Sequence, residues 1–414
     1  MSHCRCPTGA VRRAVYYGCR KSGYKRKFGL KDRVRRTGGG GRRALRSRRR
    51  PSQHEAAAEW LDFGTPCRQG DAVKPEERER RAVGARRGGR CRPLFIAWGA
   101  VSGRSEEIAA EVGAEVLKCF PPGPDARPPA PVRYALSTLM TCRALALRRP
   151  RAVIVTNPPI IPVLLAALYA EVTRARLVLD DHPGAFGAMG YRPGRWTEFL
   201  HRRVAKRAEL CLVTERTWVE RVEAWGGRAL IFHESPGKVV PQAYRPPQTV
   251  PKILYVSTFA RDEPSVAVMA AAKLVPELQL MVTGDPARRP PGDLPANVEL
   301  LGFLAEPDYL EALAAADAVL ALTTEPTSAM RAAFEAIWAQ KVLVVSDWPL
   351  TRQLFPDAVH AGNDPAAIAA GLRRAIREHG SIGATSTSAR ERQLSQWQSQ
   401  LGALRSVVEG PGLS

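Results

Sequence analysis

The stretch Thr323–Asp347 reads TTEPTSAMRAAFEAIWAQKVLVVSD. It follows the apolar run Ala318–Leu322, crosses a short loop containing Pro326, and enters Arg331–Ala339, where apolar residues recur at helical spacing. It leaves through Lys341–Asp347, in which the consecutive apolar residues Val342–Val345 precede Ser346. An apolar run, a helix and a second apolar run of this kind describe a β–α–β unit with a buried parallel sheet.

The same alternation extends outward from this stretch. Upstream, strands are expected at Ile253–Ser257, Leu278–Thr283 and Val298–Leu301, with helices at Val266–Leu274 and Asp308–Ala315. Downstream, helices are expected at Pro365–Arg377 and Ala389–Val408. A Pro-rich connector, 234–251, precedes this block, and before it the alternation starts afresh. There, strands are expected at Leu94–Ala97, Glu115–Lys118, Ala152–Val155, Arg176–Leu179, Leu210–Thr214 and Ala229–Phe232. Helical stretches lie between them at Glu106–Val112, Tyr134–Arg148, Pro162–Val172, Arg195–Arg207 and Trp218–Trp225. The sequence thus divides into a basic extension (1–92), a Rossmann-like domain (93–233), a linker (234–251), a second Rossmann-like domain (252–380) and a C-terminal helix with a tail (381–414). The fold class is α/β, with two parallel sheets facing a central cleft.

Charge separates the extension from the rest. The formal net charge is +22, but residues 1–92 hold 27 Lys+Arg against 8 Asp+Glu, leaving 35 against 32 for the remainder. The globular part carries no electrostatic footprint for nucleic acid, so no specific nucleic-acid partner is expected. The extension, with Gly38–Gly41 and Arg48–Arg50 and no sustained period, reads as disordered. Cys4 and Cys6 have no second pair at zinc-ligand spacing. The first fifty residues contain no continuous apolar region, so no secretory leader is expected and the compartment is read as cytoplasmic. The apolar stretch from Ala152 is broken by Asn157-Pro158-Pro159 and is too short to span a bilayer. Its helix Ile160–Ala170 reads as core, with peripheral contact at the inner membrane face as the alternative.

Open parallel sheets hold ligands at the carboxyl ends of their strands, so the loops there carry the candidates. Gly99, Ser102 and Gly103 lie in the small-residue loop after the first strand, suited to close backbone approach, although a capped turn accounts for them too. Asp181 and His182 open the sequence DHPGAF after the fourth strand and are the catalytic candidates; Asp180 or Asp181 alternatively orients the loop. Thr258 and Arg261 suit a diphosphate, and Gly284 shapes either a base pocket or a plain turn. Arg331 and Glu335, one helical turn apart, pair a phosphate cation with a carboxylate for ribose hydroxyls.

With the two-domain order, the Gly99–Ser105 loop, DHPGAF at 181–186, and Phe-Glu-Ala with Val-Ser-Asp at 334–347, residues 93–408 resemble glycosyltransferases of the family 4 type. The resemblance implies a GT-B fold, a nucleotide-diphosphate sugar donor held mainly by the C-terminal domain, and an acceptor met by the N-terminal domain. It also implies that no metal ion or other cofactor is needed. The expected reaction is sugar transfer, of the hexosyl type, to a glycan, lipid-linked or small-molecule hydroxyl. A nucleotide-sugar epimerase, or a degenerate domain with a nucleic-acid-binding tail, are the alternatives. One departure is visible: the family pattern has two Glu separated by seven residues, and the position paired with Glu335 is Thr327, with Glu325 out of register. The role of that first Glu beside the sugar ring, and with it the stereochemical outcome, does not transfer.

Overall fold

The computed structural model describes residues 92–99, 103–119, 129–188 and 192–410. The reading of a disordered tail at 1–92 therefore falls, Arg92 apart, outside the described residues.

The first sheet is parallel throughout, with strands β1 (Leu94–Ala97), β2 (Glu115–Lys118), β3 (Ala152–Asn157), β4 (Arg176–Asp181), β5 (Leu210–Val213) and β6 (Ala229–Ile231) in the order β2-β1-β3-β4-β5-β6. Its helices are α1 (Gly103–Glu111), α2 (Ala130–Arg148), α3 (Ile160–Thr173), α4 (Arg195–Ala205) and α5 (Arg216–Ala224). Leu94–Ala97 and Leu210–Val213 are buried on both faces, which explains why these strands read as continuous apolar runs. Asn157-Pro158-Pro159 ends β3 and Pro159 caps α3, so the apolar stretch is divided into strand and helix as its prolines suggest.

The second sheet contains β7 (Lys252–Tyr255), β8 (Gln279–Thr283), β9 (Val298–Gly302), β10 (Ala318–Ala321), β11 (Val342–Ser346) and β12 (Val359–Ala361), in the order β12-β11-β10-β7-β8-β9. Around it lie α6 (Ser265–Leu274), α7 (Glu306–Ala315), α8 (Arg331–Trp338), α9 (Pro349–Leu354) and α10 (Pro365–Arg377). In each sheet the direction of winding reverses once, between β1 and β3 and between β7 and β10. The crevices for ligands open beyond the carboxyl ends of those strands.

Two elements escaped the sequence reading. β12 has three residues and α9 six, too few for either period to show. The last helix, α11, runs from His379 to Glu409 rather than from Ala389, and its first ten residues, HGSIGATSTS, are poor helix formers. Packing compensates: His379 Nε2 lies 3.1 Å from the Asp317 carbonyl, and Tyr244 packs against Gly383. The far end of α11 returns to the first sheet. Gln400 accepts a hydrogen bond from the His233 amide at 2.9 Å, and Arg405 donates to the Glu111 carbonyl at 2.9 Å. Leu401, Leu404 and Val408 join Phe95 and Val178 of the first sheet and Phe334 and Trp338 of α8 in one continuous apolar cluster.

Candidate functional site

A cavity of about 570 Å³ lies where α1, the connector and the second sheet meet. Gly103 and Glu107 of α1, Thr258 after β7, Gly284 after β8, and Arg331 and Glu335 of α8 all line it. Five sequence-predicted residues, Gly103, Thr258, Gly284, Arg331 and Glu335, thus converge on one space.

Helix α8 places the pair that matters most. The i,i+4 spacing puts the Arg331 and Glu335 side chains on one face, and Nε of Arg331 donates to Glu335 Oε1 at 2.7 Å. Met330 occupies the N-cap without a side-chain hydrogen bond, so no side chain caps the helix end beside Arg331. The second oxygen of Glu335 accepts a bond from the Tyr309 hydroxyl, which sequence reasoning missed because a tyrosine on an amphipathic helix reads as core. Burial and the neighbouring Glu335 carboxylate both raise the Tyr309 pKa, keeping the phenol a donor.

Gly284 is required by geometry. Its φ is +104°, and a Cβ there would lie 2.7 Å from the Ser257 carbonyl oxygen. Thr258 is held by Glu263, which accepts from its amide at 3.1 Å and its hydroxyl at 2.9 Å. Glu263 was also missed, and it is the buried residue that shapes this loop. Arg261 is exposed on the loop and does not line the cavity. Gly99 is half-buried at the end of the β1 segment, and Ser102 lies outside the described residues.

The two aspartates face different surroundings. Neighbouring strand residues point to opposite faces, so Asp180 and Asp181 diverge. Asp181 turns inward, accepting from Asn157 Nδ2 at 2.7 Å and lying 2.9 Å from Nε2 of the buried His201. Its side chain has no solvent exposure and does not line the cavity. Asp180 instead partners His182, with Oδ2 3.3 Å from His182 Nε2, and its Oδ1 accepts from Arg104 Nε at 3.1 Å. The His182 side chain is 40% exposed but is not part of the cavity lining. Burial alone would lower the His182 pKa; the Asp180 carboxylate outweighs it and raises the value. Asp180 sits far below the usual carboxylate range because Arg104 and His182 overcome its own desolvation.

A chain of ion pairs joins this histidine to the cavity. Arg104 Nη1 donates to Glu234 at 2.9 Å and Nη2 to the Phe232 carbonyl at 2.9 Å. The other oxygen of Glu234 lies 3.6 Å from Arg331 Nη1. Arg331 also pairs with Glu107 across the cleft. His182, Asp180, Arg104, Glu234, Arg331 and Glu335 are therefore linked in sequence, and Glu234, read only as the first residue of a linker, is the bridge. Burial pushes the Glu107 carboxyl up despite Arg331. Lys118 and Lys238 complete the cationic lining, each already paired with a glutamate, Glu106 and Glu306 respectively. An incoming anion must exchange with carboxylates rather than meet free cations.

Residues 262–401 match the family model described as "Glycosyl transferase-like". Similar solved structures include sucrose-phosphate synthase from Thermosynechococcus elongatus, at 14% identity and a TM-score of 0.58, with 77% of this chain and 98% of that chain covered. HepE from Anabaena, in complex with UDP and glucose, aligns at 13% identity and a TM-score of 0.57, covering 76% of this chain and 100% of that one. A glycosyltransferase from Rickettsia africae aligns at 12% identity and a TM-score of 0.58, covering 78% and 100%. The fold is GT-B. No curated protein matches the chain in sequence. In this GT-B chain the matched segment contains α8 and the loops after β8 and β10, so Gly284, Arg331 and Glu335 all fall within it. Arg104 on α1, Asp180 at the end of β4 and His182 just after it lie outside that segment.

Proposed function

We propose that the protein transfers a sugar from a nucleotide-diphosphate donor to an acceptor hydroxyl. The observation that carries this reading is the Arg331–Glu335 pair, at the uncapped start of α8, in a cavity walled by both sheets' loops. Glu335 is placed to accept from ribose hydroxyls, exchanging its Tyr309 bond for a substrate bond. Arg331 keeps Nε on Glu335 and turns Nη1 and Nη2 from Glu234 and Glu107 to the diphosphate. The N-terminus of α8 adds a further anion-stabilising field. Positive charge at the leaving diphosphate then comes from the protein, and the reaction runs without a metal ion. HepE's complex with UDP and glucose supports a UDP-hexose donor.

The acceptor hydroxyl attacks the anomeric carbon as the nucleoside diphosphate leaves, from the side of the first sheet, where His182 is the group with suitable chemistry. Held by Asp180, it serves as the proton acceptor for a glycan or lipid-linked hydroxyl. Among the described residues no helix is long and apolar enough to cross a membrane.

The test is a panel of nucleotide sugars scored by thermal shift on the full chain, followed by acceptor-dependent release of the nucleoside diphosphate. A ligand at a hundred times its Kd stabilises by about 2.7 kcal/mol, a readily measured rise in Tm. One nucleotide-diphosphate sugar should stabilise the protein and its nucleotide should be released only with acceptor. No shift with any member of the panel contradicts the assignment, and conversion of the donor without acceptor points to an epimerase.

A further inference from the structure

We propose that the outer face of α2, α3 and α4 docks on an anionic lipid bilayer. These three helices lie side by side against one face of the first sheet, with Leu145, Val163, Val204 and Ala205 turned into the same core. Their opposite sides are unusually apolar for a surface. On α2, Leu139 is 66% exposed and Leu147 69%; on α3, Val172 is 76% exposed; on α4, Trp196 is 79% exposed and Phe199 48%. Exposed apolar residues scattered singly are ordinary, but these share one layer.

The accompanying charge identifies the occupant. Between Ala130 and Arg151 there are five arginines and no acidic residue. Between Arg192 and Arg207 there are six basic residues, all exposed, and one acid, Glu198, which pairs with Arg221. Arg203 lies 5.9 Å from the Phe199 ring centre, and Trp196 meets Phe199 edge-on at 6.1 Å. Exposed aromatic rings with Arg203 over Phe199, in a layer whose two acids, Glu171 and Glu198, are each paired with an arginine, match a surface whose interior is apolar and whose headgroups are negative. The helix that looked most apolar in sequence, α3, is largely core; its neighbours α2 and α4 carry most of the face. Trp196 and Phe199 sit in the first half of α4, and in a β–α unit that half lies toward the carboxyl ends of the strands. The aromatic pair therefore lies toward the end of the domain where His182 stands. This inference is independent of the donor assignment, because soluble donor binding reports the cleft and vesicle binding reports the helices.

The experiment is co-sedimentation of the full chain with phosphatidylcholine vesicles, with and without phosphatidylglycerol. The first 92 residues, with 27 Lys+Arg, attract an anionic surface by charge alone, so each binding is repeated at about 0.5 M salt, where such attraction is screened. Wild type should pellet with phosphatidylglycerol vesicles and keep part of that binding in high salt. Trp196→Ser with Phe199→Ser should weaken the salt-resistant part roughly tenfold to a hundredfold, with Tm and donor binding unchanged because both side chains are exposed. The conservative Trp196→Phe should still pellet but lose most of the quenching of tryptophan emission that brominated lipid causes in high salt. Equal salt-resistant binding of wild type and the double variant, or salt-resistant quenching undiminished in Trp196→Phe, overturns the proposal. So does a dimer that the double variant abolishes while wild type ignores vesicles, which would make the face a contact between two copies.

Discussion

The two sheets are built alike and finished differently. Both have six parallel strands that reverse winding once, and both bury nearly all of their central strands. Their surfaces diverge. Among the described residues, ten exposed large apolar side chains lie between Val132 and Phe199, whereas four lie between Val266 and Phe303. Their ionic groups diverge as well. In the first half Arg104 has 11% of its side chain exposed and holds two carboxylates and a carbonyl. In the second half Arg331 is 36% exposed and faces the cavity. Burial pattern makes the fold in both halves; what each half does depends on which charges are locked and which are open to exchange.

That contrast is most easily broken at the two arginines. Arg104→Met leaves Asp180 and Glu234 without their cation in a dry setting and should cost about 3–5 kcal/mol in urea unfolding. Arg331→Met, at an edge where water replaces the lost partner, should cost about 1–2 kcal/mol and mainly weaken donor binding. Equal losses of stability would mean that both pairs are structural and that Arg331 is not a binding group.

The next effect concerns turnover. His182→Ala should lower it by about a hundredfold or more while leaving the Tm nearly unchanged, because the side chain is 40% exposed. A large fall in Tm with normal activity in the remaining protein would make His182 a brace for Asp180.

A smaller effect sharpens the same point through pH. The folded pKa of His182 is raised by Asp180. Its stabilising contribution is therefore complete below the unfolded value, near 6.5, and lost as pH rises through the folded value. The stability gap between wild type and His182→Gln should be widest near pH 6 or below and narrow at alkaline pH. A gap that is flat across this range would show that Asp180 does not hold the charged imidazole.

Much of this was legible in the chain. The strands of both sheets announced themselves as short apolar runs such as Leu94–Ala97 and Val342–Val345, because parallel strands covered on both faces have no polar side to interrupt the pattern. The Arg331–Glu335 pair was legible because helical spacing alone makes them neighbours. The choice between Asp180 and Asp181 was not, since it depends on which face of β4 meets Arg104 from α1, 76 residues away in sequence. Glu234 was hidden for the same reason, and so was Tyr309, whose partner lies 26 residues further on. Contacts made across long sequence separations leave no local pattern to read.

In the proposed reaction donor binding turns on the Glu335 carboxylate, and isothermal calorimetry of the stabilising nucleotide sugar measures that dependence. Glu335→Gln keeps the shape and one acceptor oxygen but removes the charge. Charge-assisted bonds contribute about 1.5–3 kcal/mol each, so the variant should bind donor about ten- to a hundredfold more weakly with its fold intact. Equal affinity of wild type and Glu335→Gln would contradict the account.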